Sequence, residues 1–179
     1  MRRTLSLIAA AIVLAGCGSD DDGSARFDEN GFDITFEYPD EMNEADNVTI
    51  ASGAGSSAKA TAGIGYGEKD TKDVIIVQRY DLNVPIGAGN LRRAKAELDP
   101  LVAQISPGAP EGDTGEIRGF PSIDYEGLDV RQIDGAKTRL VALFDGDVEY
   151  LINCQSTPKR RTDIETACRR VLDTVERKD

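Results

Sequence analysis

The chain has 179 residues, with 32 acidic and 21 basic side chains, no histidine and a net charge of −11. This balance argues against a nucleic-acid-binding protein, because such proteins need a basic surface that displaces phosphate counterions. The lack of histidine also argues against a serine hydrolase with a histidine base and against a histidine-containing zinc site.

The N-terminus has the layout of an export signal. Arg2 and Arg3 precede Leu5–Leu14, an apolar run in which only Ser6 is polar. Ten residues are half of the roughly 20 that span a bilayer, but they suit the apolar region of a signal peptide. An ordinary cleaved signal peptide and a short buried helix are the alternatives.

The signal run ends in the residues LAGC, with the cysteine at position 17. This pattern resembles the bacterial lipobox, which implies that residues 1–16 are removed and that diacylglycerol is attached to Cys17. Two acyl chains hold a protein firmly on a membrane. The resemblance therefore predicts a lipoprotein anchored on the extracytoplasmic face of the cell membrane, and no other apolar run approaches spanning length.

The acidic side chains are concentrated after this cysteine. Residues 20–50 hold eleven acids and one base. We predict that residues 17–31 form a lipidated acidic tether and that residues 32–179 form a single domain. An anionic lipid surface repels such a segment within about 8–10 Å, so we expect the domain to stand off the membrane. The alternatives are a cation site or a docking surface for a basic partner.

Apolar periodicity predicts strands and two helices. The strands, in chain order, are at residues 32–38, 47–52, 61–67 and 73–82, followed by extended runs at 116–132 and 138–153. A helix from Asn90 to Ile105 contains Pro100, which should kink it or end its first half. A second helix from Thr162 to Arg177 carries apolar residues at helical spacing, and Thr162 with Glu165 forms a capping box.

Two Asp-Gly pairs predict turns between extended runs. They lie at Asp134-Gly135 and Asp145-Gly146, and Asp-Gly between apolar residues is a hairpin signal. Strands and hairpins interrupted by two helices predict an α+β fold, an antiparallel sheet of about six strands flanked by helices.

Once Cys17 is assigned to lipid, two cysteines remain. Cys154 follows an apolar strand and Cys168 lies on the inner face of the last helix. An exported protein permits a disulfide between them. Two buried free thiols are the alternative. A redox-active pair is less favoured because it usually has Cys-x-x-Cys spacing, and two cysteines without histidine do not make a metal site.

Three stretches together resemble the PsbP-like family, including actinobacterial lipoproteins of the LpqN type. They are GFDITFEYP at 31–39, GFPS at 119–122 with Tyr125, and LFDGDVEYLIN at 143–153 with the helix that follows. The resemblance implies a PsbP-like α/β/α sandwich, with residues 143–153 as its closing hairpin, and an accessory or binding protein without a shared active site. The family often has a tryptophan after the first Tyr-Pro, and this chain has none.

No motif predicts catalytic, cofactor-binding or metal-ligating residues. The glycine-rich stretches lack the full dinucleotide or phosphate-loop pattern. Asp145, Asp147 and Glu149 alternate and should face one side of a strand or its turn. Paired carboxylates can act as the acid and base of a glycosidase or bind Ca²⁺, but Asp-Gly-Asp is also typical of a hairpin turn, which we favour. Residues 159–179 carry seven bases and five acids, which raises the weaker hypothesis that a partner docks there.

These patterns lead to one functional expectation. We expect a non-enzymatic accessory or protein-binding module of the cell envelope, with the membrane and an envelope protein as partners and without a cofactor. The alternative is a carrier or sensor of a small apolar ligand held between sheet and helix.

Overall fold

The computed structural model describes residues 23–45, 58–67 and 72–178. Within them, nine strands and two helices follow one another. They are β1 Ser24–Phe27, β2 Ile34–Pro39, β3 Asn43–Glu44, β4 Ala60–Gly65, β5 Val74–Ile86, α1 Leu91–Ile105, β6 Asp113–Ile117, β7 Phe120–Asp129, β8 Lys137–Ser156, α2 Arg161–Thr174 and β9 Glu176–Arg177.

The strands form two antiparallel sheets. The larger has six strands in the order β3-β4-β5-β8-β7-β6, and the smaller has three in the order β1-β2-β9. The long strands β5 and β8 pair in the middle of the larger sheet, from Val74 opposite Gln155 to Asp81 opposite Val148. This arrangement confirms the predicted α+β fold.

Two apolar clusters cover the two faces of the six-stranded sheet. The larger packs the small sheet and α2 against one face and contains Phe36, Ile152 and Val171. The smaller packs α1 against the opposite face and contains Leu91 and Phe144. The layers are therefore helix, sheet and helix, with α2 and α1 on opposite sides.

Asp145-Gly146 is not a hairpin turn, so that prediction and the closing hairpin implied at residues 143–153 are wrong. Strand β8 continues through this pair for 20 residues. Gly146 has a left-handed φ of 64°. On the N-terminal side of Gly146, Leu143 faces the larger cluster and Phe144 the smaller, whereas Tyr150 and Leu151 show the opposite parity. The faces of β8 therefore exchange at Gly146, opposite an irregular stretch of β5 between Asp81 and Ile86 where the register shifts.

The turn at Asp134-Gly135 does separate β7 from β8. A second, tight hairpin turn joins β6 to β7 at Arg118 and Gly119, whose φ angles are 52° and 83°. Both residues occupy the left-handed region that a type I′ hairpin turn requires.

The fold starts earlier than the predicted boundary at residue 32. Strand β1 pairs with β2, and Phe27 is 4% exposed with its ring stacked at 4.4 Å on that of Phe36. Because Phe27 is buried, strand β1, which we assigned to the tether at residues 17–31, is part of the folded domain. The signal peptide, Cys17 and the predicted strand at residues 47–52 lie outside the described residues.

The helix boundaries differ from the prediction in three ways. α1 continues past Pro100 to Ile105. α2 ends at Thr174, after which two residues pair with β2 as β9. α2 begins at Arg161 without a side-chain cap, so the predicted capping box is absent, and Arg160 pairs with Asp163 at 3.0 Å instead. Among the described residues, no helix has the length and apolar character needed to cross a bilayer.

Candidate functional site

Two clefts flank helix α2 on its outer side. We call the first the β8 cleft; it lies between α2 and strands β7 and β8 and has a volume of about 650 Å³. The second, the β2 cleft, lies between α2 and the end of β2 and has about 580 Å³. Arg169 lines both. The two clefts and the helix surface between them form one continuous surface, which we call the α2 face.

The Cys154–Cys168 disulfide lies at the floor of the β8 cleft. It joins β8 to α2 with a Cα–Cα distance of 6.0 Å, and both cysteines are buried. The predicted disulfide is confirmed. Its role in the fold is to fasten α2 to the sheet across a loop of 14 residues.

Two of the four cations lining the β8 cleft are neutralised by neighbouring carboxylates. Arg139 donates from Nε and Nη2 to the two carboxylate oxygens of Asp124, and this contact raises the pKa of Arg139. Lys137 lies 2.6 Å from a carboxylate oxygen of Asp129. Both pairs hold the strand ends β7 and β8 together and leave little free charge.

The other two cations have spare donors. Arg161 donates from Nη2 to the carbonyl oxygen of Gly135 at 2.8 Å, but its Nε is buried without a hydrogen-bond acceptor. Arg169 is exposed, and no carboxylate of the described residues lies within 4.0 Å of its guanidinium. The β8 cleft therefore offers donors to an anionic group.

The β2 cleft contains the point at which the chain enters the fold. Arg170 of α2 donates to the Gly23 carbonyl at 3.2 Å and to the Ser24 hydroxyl at 2.9 Å. The Thr174 hydroxyl accepts a hydrogen bond from the Glu37 amide at 2.9 Å. These bonds attach the start of the described chain to α2. The same cleft is acidic at its rim, with Glu37, Asp40 and Glu41.

The three alternating carboxylates do not share one side of the sheet, which corrects that prediction. Asp145 pairs with Arg177 at 3.0 Å, and the Arg177 guanidinium lies over the ring of Phe120, on the α2 side. Glu149 lies on the α1 side, opposite Tyr80 in the register of β5 and β8. The exchange of faces at Gly146 separates them.

Glu149 is a partly buried carboxyl on the α1 side, and the sequence did not predict its altered pKa. Burial raises its pKa to about 7. Its charge contributes to the raised pKa of Tyr80 and of Tyr125, so it lies near both phenols. Only the alternation of β8 signalled this residue, and the exchange of faces at Gly146 obscured that signal.

A second polar cluster on the α1 side surrounds Asp99. The Tyr125 hydroxyl and the Lys95 ammonium donate to its two oxygens at 2.9 and 2.6 Å, and the Gly112 amide donates at 3.2 Å. Burial raises the pKa of Asp99, but these hydrogen bonds outweigh it and leave the pKa below its ordinary value. The cluster fastens α1 to the β6–β7 hairpin. Among the residues that the structure describes, no three potential metal ligands come together.

The space between the sheet and α2 is filled by side chains. Ile152, Ala167 and Val171 are each 0% exposed. The two clefts lie outside this core and are lined largely by polar and charged residues. This arrangement counts against an apolar ligand held between sheet and helix.

Comparison with known proteins supports the fold. No protein-family model and no curated protein sequence matches the chain. Among solved structures, PsbP (CyanoP) from Synechocystis sp. PCC 6803 is 13% identical with a TM-score of 0.58, covering 92% of this chain and 98% of CyanoP.

Two further structures share the fold. LpqN of Mycobacterium tuberculosis, described as involved in cell envelope biogenesis, is 12% identical with a TM-score of 0.52, covering 89% of this chain and 88% of LpqN. A protein of Bacteroides thetaiotaomicron VPI-5482 is 12% identical with a TM-score of 0.56, covering 88% of this chain and 49% of that protein. The chain thus has the PsbP-like fold that the sequence motifs predicted.

Proposed function

We propose that this chain is a lipid-anchored protein of the cell envelope that acts as an accessory factor by binding another envelope protein. The main support for the proposal is the lipobox-like LAGC motif ending at Cys17, because it would direct both export and lipid attachment. The fold is compatible with this role, since LpqN shares it and is described as involved in cell envelope biogenesis.

Binding would take place on the surface of the domain. The apolar clusters on both faces of the sheet are tightly filled, and the clefts beside α2, of about 580 and 650 Å³, are open at the surface and lined largely by polar and charged residues. A shallow polar surface of this kind suits contact with another macromolecule better than enclosure of an apolar ligand, which prefers a deep apolar pocket. We therefore propose binding without catalysis.

Metabolic labelling with palmitate tests the anchor. The wild-type protein should incorporate the label and fractionate with membranes, and Cys17→Ser should do neither. Because Cys17 is not one of the bridged cysteines, the substitution leaves the disulfide intact. Labelling of the Cys17→Ser protein, or none of the wild type, would remove the basis of the proposal.

Site-specific photocrosslinking in cells tests the binding role. A photoreactive residue at Ala103, exposed on α1, and another at Thr166, exposed on α2, sample the two opposite sides of the domain. We expect one of them to give a single crosslinked envelope protein, and the crosslink should disappear in the Cys17→Ser background. Crosslinks that are diffuse at both positions and unaffected by Cys17→Ser would contradict the proposal.

A further inference from the structure

We propose that the anchored protein turns its α2 face towards the bilayer and that Arg169 of this face contacts anionic phospholipid headgroups, in place of the stand-off from the membrane that the acidic residues 20–50 suggested. The inference rests on the lipid anchor at Cys17 in the proposed function. It goes beyond that function by stating which side of the domain meets the membrane and which side remains open to a protein partner.

The first argument is the length of the chain between the anchor and the fold. Gly23 is hydrogen-bonded to Arg170 of α2, so the chain leaves the domain at the α2 face. Six residue steps separate Cys17 from Gly23. Fully extended they span at most about 22 Å, and a flexible chain of that length has an r.m.s. span of roughly 13 Å. The acylated cysteine therefore keeps the α2 face near the lipid surface.

The second argument is the layered architecture. Helix α1 covers the opposite face of the six-stranded sheet. With helices about 10–12 Å across and layers about 10 Å apart, the outer surface of α1 lies roughly 30 Å from the outer surface of α2. This distance exceeds the fully extended linker. The domain cannot therefore place α1 against the bilayer while its chain enters beside α2.

The third argument is charge. A chain with a net charge of −11 is repelled by an anionic surface, so contact needs a cation that no carboxylate of the protein already neutralises. The β8 cleft is lined by four cations and two acids, Glu126 and Glu165, and two of the cations, Lys137 and Arg139, are already paired with Asp129 and Asp124. The guanidinium of Arg169 is exposed and pairs with no carboxylate of the described residues, so it is available as a donor to a phosphate oxygen. The acidic rim of the β2 cleft tilts the domain towards the β8 cleft.

A weak contact is sufficient in this arrangement. The acylated cysteine makes headgroup binding an intramolecular event, with a high effective concentration set by the short linker. The aspartates at positions 20–22 oppose the contact because they lie between the anchor and the fold and carry the same sign as the lipid. Their replacement by asparagine should bring the face closer to the bilayer.

Energy transfer to labelled lipid tests the orientation, and the absence of tryptophan from the chain makes single-tryptophan probes clean. Thr166→Trp reports on α2 and Gln104→Trp on α1; both side chains are exposed. The lipidated full-length product is reconstituted in phosphatidylcholine vesicles containing phosphatidylglycerol and dansyl-phosphatidylethanolamine. We expect stronger transfer from Thr166→Trp. Equal transfer, or stronger transfer from Gln104→Trp, would overturn the orientation.

Charge reversal tests the headgroup contact. In the Thr166→Trp background, Arg169→Glu should lower the population in close contact by about fivefold or more, since each Lys or Arg near an anionic surface contributes about that factor. The loss should vanish in vesicles without phosphatidylglycerol and at high salt. Arg92→Glu on α1, also exposed, is the matched control and should have no effect.

The outcomes separate the two proposals. Failure of palmitate labelling removes the anchor and with it the proposed function. Normal labelling with unchanged energy transfer in Arg169→Glu overturns the headgroup contact alone. If Arg169→Glu instead abolishes the protein crosslink at Thr166 while energy transfer stays the same, the β8 cleft binds an acidic protein segment and not lipid.

Discussion

Replacing Glu149 with glutamine should stabilise the protein at pH 8 and leave its stability almost unchanged at pH 4. Glu149 lies on the inner side of β8, facing the α1 layer, and burial raises its pKa from an ordinary value of 4.5 to about 7. Burial is the main cause of the raised pKa of Tyr80 and of Tyr125, and the charge of Glu149 adds to both. The folded protein therefore disfavours the ionised carboxylate.

The direction follows from proton linkage. Below pH 4.5 the carboxyl is protonated in the folded and the unfolded chain, so its favourable contribution is fully present. Between pH 4.5 and about 7 the unfolded chain loses the proton while the folded chain retains it, and stability falls as pH rises. A difference of about 2.5 pH units corresponds to roughly 3 kcal/mol, and partial solvent access to the side chain reduces this to about 2–3 kcal/mol.

Thermal unfolding followed by circular dichroism between pH 4 and 8 measures the effect. For a domain of this size, 2–3 kcal/mol corresponds to an increase in Tm of about 4–12 °C for Glu149→Gln at pH 8. The wild-type Tm should fall across the window from 4.5 to 7 more steeply than that of the variant. Asp147→Asn, which removes an exposed carboxylate two residues away, is the control and should preserve the wild-type slope. Parallel curves for wild type and Glu149→Gln would refute the assignment of this pH dependence to Glu149.

Two further predictions concern the stability of the fold. Reduction of the Cys154–Cys168 bridge, which closes a loop of 14 residues, should lower stability by about 3 kcal/mol and Tm by about 6–12 °C; an unchanged Tm in protein whose two thiols can be alkylated would contradict this. Gly112→Ala should cost about 1–3 kcal/mol, because a Cβ there would lie 2.6 Å from the Tyr125 ring. The control Gly115→Ala, whose Cβ would lie 3.6 Å from the Ser122 hydroxyl, should change the urea midpoint little, and equal losses in the two variants would count against the steric argument.

Much of the architecture was readable from local patterns. Alternation in residues 32–38 predicted β2, the apolar run at residues 73–82 predicted β5, and the helical spacing from Thr162 to Arg177 predicted that Val171 lies in the core. Period-two and period-3.6 patterns record which face of an element is buried. These patterns are local, so they can be recognised without knowing which element packs against them.

The disulfide was also predictable, because assigning Cys17 to lipid leaves one possible pair. The sequence did not predict that the bridge lies at the floor of a charged cleft. The cleft brings Lys137 and Arg139 of one strand to the side of Arg161 and Arg169 of a helix. Which elements lie side by side depends on tertiary packing, and the spacing of residues along the chain does not reveal it.

The local sequence at Asp145-Gly146 does not decide between a hairpin turn and a continuous strand. A hairpin turn and a bulge both need a residue with positive φ, and Asp-Gly supplies it for either. The decision depends on strand β5, which runs antiparallel to β8 and pairs with it at Val148 and again at Gly146. Long-range pairing therefore keeps β8 one continuous strand, and the exchange of its faces at Gly146 turns Glu149 towards the α1 side.

The sequence by itself determined the two helical faces and the main strands, because each depends on residues close together in the chain. With Cys17 assigned to lipid it also left one possible cysteine pair, whereas the lipobox-like signal itself stays a prediction. Only the tertiary structure shows that Phe27 belongs to the core, that Glu149 faces the α1 layer and that the N-terminal segment enters the domain beside α2. These features depend on contacts between residues far apart in the chain: Gly23, for example, meets Arg170 across 147 positions. Such contacts form only when burial of the whole apolar surface brings the elements together.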